Sequence, residues 1–209
     1  MIFLGGGGSE HDESQLWDEV FRPGARLAVW PDAMPRPQWP ATRNWFRQAL
    51  APRGEFAFVE AVADADVLVI PGGNTFDLLF AVRDRLAGLT TFLARGGHVY
   101  GGSAGAILLG ADIAIAGILD PNDVGLTDTT GADLLSGCVV FPHYTADQAS
   151  IARAWSRDHD VTVLAIPETA GLIVDGERAR NVGPSAVEVF TPGSVTPCAA
   201  GEAVKLGAS

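Results

Sequence analysis

Twice in this chain an apolar run passes straight into helix-forming sequence through a glycine-rich turn. Val67–Ile70 leads into Pro71-Gly72-Gly73-Asn74, and His98–Gly101 leads into Gly102-Ser103-Ala104-Gly105-Ala106. A short, continuous apolar run marks a strand buried on both faces, as in parallel sheets. A strand followed at once by a helix is half of a β-α-β unit. The alternation continues along the chain, so the expected fold is α/β: a three-layer α/β/α sandwich, doubly wound around a mostly parallel sheet.

Strands are expected at Met1–Leu4, Leu27–Trp30, Phe56–Glu60, Val67–Ile70, His98–Gly101, Val139–Phe141 and Thr162–Ile166. Helices are expected over Ser9–Phe21 with Ser9 as N-cap, over Thr42–Leu50, after Asn74, and over Leu86–Arg95, Ser103–Leu109 and Thr145–Trp155. Asp175-Gly176 between Leu172–Val174 and Arg178–Val182 signals a hairpin, and Val187–Phe190 is expected to close the sheet. The small, polar tail after Thr191 is expected to be partly mobile. With no repeat and no low-complexity linker, residues 1–209 read as a single catalytic domain.

Composition narrows the function. The 14 Lys+Arg against 25 Asp+Glu give a formal net charge of −11, the wrong sign for neutralising phosphates, so no nucleic-acid partner is expected. Two cysteines, Cys138 and Cys198, build neither a disulfide framework nor a four-thiolate zinc site. The apolar start ends at Gly5–Gly8 and an acidic segment follows, unlike an export signal. No run reaches the ~18 apolar residues of a membrane span. A cytoplasmic setting without membrane contact is the expectation.

Gly101-x-Ser103-x-Gly105, after a strand and before a helix, is a nucleophile elbow. A sharp turn exposes the hydroxyl, and only small neighbours clear the helix. Of the four histidines, His143 directly follows Val139-Val140-Phe141-Pro142, at the strand end where open α/β sheets build sites. His11 and His159 sit in charged, solvated surroundings. His98 lies about five residues before Ser103 in the same strand, too far off for contact. His143 is therefore the candidate base. Glu168, in Ile166-Pro167-Glu168-Thr169, is the candidate carboxylate to fix its tautomer. Asp120 and Asp123 are the alternatives, and either can equally form a turn beside Pro or Asn.

In Pro71–Phe76, an amide of Gly72 or Gly73 paired with that of Ala104 can form an oxyanion hole. The plainer reading is a strand-to-helix turn capped by Asn74. Gly5–Gly8 fails the dinucleotide and P-loop patterns, and Glu10, Asp12 and Glu13 would repel a phosphate. Close packing against the site is the expectation there. His11-Asp12-Glu13 reads as a solvated helix start and not as a metal site.

The segments Pro71-Gly72-Gly73-Asn74-Thr75-Phe76-Asp77-Leu78-Leu79, Gly102–Ala106, Pro142-His143-Tyr144 and Ile166-Pro167-Glu168 have the order and approximate spacing of one known group. Between the first glycine loop and about Phe190 the chain resembles the peptidase E (aspartyl dipeptidase) and cyanophycinase family of serine peptidases. The resemblance implies a class I glutamine amidotransferase-like fold and a Ser-His-Glu triad at Ser103, His143 and Glu168. The oxyanion hole falls to Gly73 and Ala104, with Gly72, Asn74 and Thr75 lining the substrate. Peptidase E carries a longer, arginine-bearing segment after the histidine motif. Here that segment is shortened to Thr145–Ser150, leaving Arg153 as the nearest arginine, with Arg36 and Arg43 as further candidates.

These readings lead to a serine hydrolase acting on small peptides, dipeptidase-like and in the family's manner Asp-X directed, with no metal or cofactor. It would be a monomer or a homodimer. The alternatives are a non-catalytic binding domain with the same fold, and an esterase or amidase with Asp120 on His143.

Overall fold

Side chains along the central strands alternate between two cores, because successive residues of a strand point to opposite faces. In the computed structural model, which describes residues 1–207, Phe3, Val67, Val69 and Tyr100 are buried in one core and Ile2, Leu4, Leu68 and Ile70 in the other. They lie on β1 (Ile2–Gly5), β4 (Val67–Ile70) and β5 (His98–Gly102). The first core is covered by α1 (Ser14–Val20) and α2 (Trp39–Leu50), through Leu16, Trp17, Val20, Phe46 and Leu50. The second is covered by α3 (Thr75–Val82), α4 (Ala87–Ala94) and α5 (Ala104–Leu108), through Phe76, Leu79, Leu89, Phe92 and Ile107. Helices on both faces of the sheet make the three-layer α/β arrangement.

Adding β2 (Arg26–Val29), β3 (Ala57–Val59), the hairpin β8 (Gly171–Asp175) and β9 (Arg178–Asn181), and β12 (Ala203–Lys205) completes an eight-stranded sheet of order β12-β9-β8-β1-β5-β4-β2-β3. The β1-β5-β4-β2-β3 half is parallel, and the β8, β9 and β12 side is antiparallel. Gly176 turns the β8–β9 hairpin at φ 56°, as its Asp-Gly signal requires.

The remaining strands depart from expectation. β6 (Val139–Pro142), β7 (Val163–Ile166), β10 (Val187–Thr191) and β11 (Ser194–Cys198) form a separate four-stranded sheet of order β11-β10-β7-β6. Val187–Thr191 therefore does not close the main sheet. It pairs antiparallel with β7, and α6 (Ala149–His159) packs with this sheet into the second core through Ala152. Much of the tail is paired: β11 and β12 take it back onto β10 and β9, and its last two positions, 208 and 209, lie outside the described residues. Short, polar edge strands carry no apolar pattern, so pairing alone reveals them.

Helix starts also shift. The first helix begins at Ser14, not Ser9, because Ser9 donates to Asp12 Oδ2 from both its hydroxyl (2.7 Å) and its amide (3.0 Å), which closes a separate turn. The last begins at Ala149 after a single turn that Thr145 and Gln148 close with a capping box. Among the described residues no helix is long and apolar enough to cross a membrane.

At the N-terminal edge of the parallel strands, Asp66 binds Arg26 through three hydrogen bonds of 2.7 to 3.2 Å, to the guanidinium and to the backbone N–H. These donors hold the Asp66 carboxyl down to about 2. A depressed carboxyl contributes stability above its unfolded value, and that contribution disappears as pH falls through the folded one. Asp66→Asn is therefore expected to lower the thermal midpoint at pH 7 by the small amount an exposed pair allows. Melting curves should show its gap from wild type closing between about pH 4 and pH 2.

Candidate active site

The central strand β5 lies between β1 and β4, all three parallel, so the loops after these strands emerge side by side at one sheet edge. The loop after β5 begins at Ser103. The loop after β1 is Gly6–Gly8, and the loop after β4 is Pro71–Asn74. The second sheet contributes its own adjacent strand ends. Pro142 of β6 pairs in register with Ile166 of β7, so His143 and Glu168 leave neighbouring parallel strands at the same end.

Ser103 has φ 50° and ψ −111°, a backbone conformation that a side chain disfavours. It is held there from both directions. A Cβ on Gly105 would overlap the Ile70 carbonyl oxygen, and one on Gly101 would meet Gly105 O at 2.6 Å. Glycine at both positions lets α5 start directly against β4 and β5. His143 also has positive φ, 53°, and its N–H donates to Gly6 O at 2.8 Å.

The Ser103 hydroxyl lies 2.8 Å from His143 Nε2, and His143 Nδ1 lies 2.8 Å from Glu168 Oε1. A carboxylate only accepts, so the proton sits on Nδ1, which donates to Glu168 and leaves Nε2 free to accept the serine hydroxyl. The carboxylate end is open to water: the Glu168 side chain is 56% exposed, against 34% for His143. Neither alternative acid approaches this chain of hydrogen bonds. Asp120 Oδ2 accepts the Thr75 amide at 2.9 Å and the Thr75 hydroxyl at 2.6 Å, and Asp123 lies in an exposed turn.

The other candidate residues divide. A Cβ on Gly72 would meet Ser103 Cβ at 3.3 Å, so Gly72 borders the serine. Among the described residues, the amides of Gly73 and Ala104 meet no backbone or side-chain acceptor. Asn74 is the helix cap: its Oδ1 accepts from Phe76 N and Asp77 N at 2.9 Å each, while its Nδ2 donates to Pro121 O at 2.9 Å. Thr75 is fully buried, and its donors go to Asp120, so it has no surface to offer a substrate. This corrects the expectation for Thr75. The reason is the cap itself, which turns the first helical residue inward. Arg153 stands exposed on α6, its guanidinium 5.8 Å from the Phe190 ring. His98 packs edge-on to Phe3 and His159 stacks on Trp155, both away from the serine. Among the described residues no group of three His, Cys, Asp or Glu is arranged to hold a metal ion.

Gly5–Gly8 packs against all three site segments. Gly5 O accepts from Ser103 N at 3.4 Å. A Cβ on Gly6 would overlap Pro167 O, one on Gly7 would overlap the His143 ring at Cε1, and one on Gly8 would strike Glu168 O. Glu13, expected to be solvated, is buried beneath this loop at 2% exposure. Its position shortly after a glycine run was the only signal, and an acidic neighbourhood masked it.

The sequence model of peptidase family S51 matches residues 50–182, well over half of the chain. The chain belongs to peptidase family S51. It is 32% identical to peptidase E of Citrobacter koseri over 149 residues, and 30% identical to peptidase E of Escherichia coli O1:K1 over the same length. Each match covers 65% of this chain and 63% of the relative, so the chain spans under two thirds of the length of these relatives. Among solved structures, a protein assigned as peptidase E from Listeria monocytogenes superposes with a TM-score of 0.71 at 20% identity, covering 88% of this chain and 98% of that one. A peptidase from an acI-B1 Actinobacterium gives 0.65 at 19% identity, covering 98% and 96%. At such identities these two likenesses establish the fold and nothing finer.

The contacts of two glycines set opposite expectations. Gly105→Ala should destabilise the protein by about 1–3 kcal/mol or more, because its neighbour is backbone that cannot yield. Gly88→Ala, in α4 with open space around it, should be neutral or stabilising by up to about 1 kcal/mol. Urea denaturation of both variants checks the pair.

Proposed function

We propose that this chain is a serine peptidase that hydrolyses small peptides through Ser103, His143 and Glu168. The observation that carries the reading is the unbroken hydrogen-bond chain from hydroxyl to imidazole to carboxylate, 2.8 Å at each link, on a serine in a strained turn. Membership of S51 supports the same chemistry.

In this mechanism His143 Nε2 takes the hydroxyl proton as Ser103 Oγ attacks the scissile carbonyl. The carbonyl electron pair moves onto oxygen, where the unengaged amides of Gly73 and Ala104 stabilise the oxyanion. Glu168 stabilises the imidazolium. His143 then gives the proton to the leaving amine as the C–N bond breaks and the acyl-enzyme forms. Water, deprotonated by His143, attacks the ester, and Ser103 leaves with its proton restored. No step needs a metal or cofactor. The esterase or amidase alternative with Asp120 on His143 is not favoured, since Asp120 is held by Thr75.

A dipeptide is the substrate this reading favours, and the family resemblance suggests an N-terminal aspartate. Arg153 is the cation proposed to meet a substrate carboxylate, from the helix that follows the histidine segment.

A fluorophosphonate probe is expected to label wild-type protein and to leave folded Ser103→Ala unlabelled. Glu168→Gln should retain labelling but lose about 10²-fold or more in kcat, as expected for removing the imidazolium's charged partner. Folded wild-type protein that neither reacts with the probe nor cleaves any dipeptide would overturn the enzymatic reading in favour of a binding domain. Comparing Asp-X with neutral dipeptides, in wild type and Arg153→Ala, tests specificity. Equal kcat/KM across substrates removes the Asp-X assignment and leaves the triad.

A further inference from the structure

Beneath the glycine loop that faces the histidine lies an acid that no step of the reaction uses. Glu13 Oε1 accepts the Gly7 N–H at 2.8 Å, and Oε2 accepts the Tyr100 hydroxyl at 2.7 Å and the Trp17 indole N–H at 3.3 Å. All three partners are donors, the set that an ionised carboxylate satisfies. Burial opposes this and is the larger effect, so the Glu13 carboxyl lies above its ordinary range although its donors act to lower it. For packing alone an apolar side chain would serve better, since a buried charge carries a desolvation penalty.

The opposite side of Gly7 supplies a reason for a polar acceptor at this position. Gly7 has φ 95°, and its α-carbon lies so close to the His143 imidazole that a side chain there would overlap the ring. The same peptide group that gives its Gly7 N–H to Glu13 holds the His143 backbone, through Gly6 O. Tyr100, on the same carboxylate, is three residues before Ser103 in β5. Glu13 thus joins the strand that delivers the nucleophile to the loop that backs the base.

We propose that Glu13 is a positioning residue: by fixing the Gly7 peptide, its carboxylate holds the His143 ring with Nε2 in line with the Ser103 hydroxyl. The kinetic arm of the test rests on the serine-peptidase reading, and the spectroscopic arm does not.

The full chain is compared as wild type, Glu13→Ala and Glu13→Gln. The readouts are the rate of fluorophosphonate labelling and the NMR signal of the His143 Cε1–H, assigned by its loss in His143→Ala. Glu13→Ala is expected to slow labelling about 10- to 100-fold, the cost of a small misplacement at a reacting centre, and to shift the His143 signal. Glu13→Gln keeps an acceptor for Gly7 and should restore most of the rate and the signal position. A merely structural acid would lower the melting temperature in both variants without moving the His143 signal. Wild-type labelling and an unmoved signal in folded Glu13→Ala, or a Gln variant as impaired as the Ala variant, would overturn the proposal. If Glu13→Ala does not fold, Glu13→Asp, one methylene short of Gly7, takes its place with the same outcomes. If wild type itself fails to label, the peptidase reading falls, and the His143 signal alone decides the role of Glu13.

Discussion

The site depends on the contact between the Gly5–Gly8 backbone and the segments that carry the serine, the histidine and the glutamate. Gly5 O reaches Ser103 N, Gly6 O holds His143 N, and the α-carbons of Gly6, Gly7 and Gly8 lie against Pro167, the His143 ring and Glu168. Any side chain at those three positions would occupy space already filled by backbone or by the imidazole. Three segments from two different sheets can therefore converge only because this stretch has no Cβ atoms. The entropy that four consecutive glycines cost on folding is offset by the close approach they permit.

The same economy of volume appears on the other flank of the serine. Gly101 and Gly105 bring the start of α5 onto β4, and Gly72 lies against the serine Cβ. Once these approaches are made, the strained φ values of Ser103 and His143 are over-determined by their neighbours, which is the condition under which such strain persists. Both residues are presented by parallel strand ends, and neither has to be oriented by a flexible loop.

Polar groups around the site fall into two environments. Glu168 is open to solvent, which weakens but does not abolish its attraction for a cationic imidazole, and it also accepts a hydrogen bond from Nδ1 that orients the ring. Glu13 is enclosed, and its interactions with Gly7, Tyr100 and Trp17 are stronger for that enclosure. The net charge of −11 bears little on either, because what acts at the site is a small number of short-range contacts.

Local sequence determined a good deal. The apolar run between Asp66 and Pro71 marks β4 to the residue. The elbow at Ser103, the Asn74 cap and the Asp-Gly hairpin follow from turn chemistry that neighbouring residues dictate. The candidates Ser103, His143 and Glu168 were legible because each lies within two residues of the end of an apolar strand. What only the tertiary structure decided is non-local. The split of the strands into two sheets, the pairing of the polar tail as β11 and β12, and the engagement of Asp120 by Thr75 all depend on which backbones meet. So does the burial of Glu13, which reads as a solvated acid in an acidic stretch. Its environment is set by Gly7, Trp17 and Tyr100, and Tyr100 lies 87 positions away. Periodicity and turn signals act over a few residues, whereas burial and hydrogen-bond partnership are fixed by the packing of the whole chain.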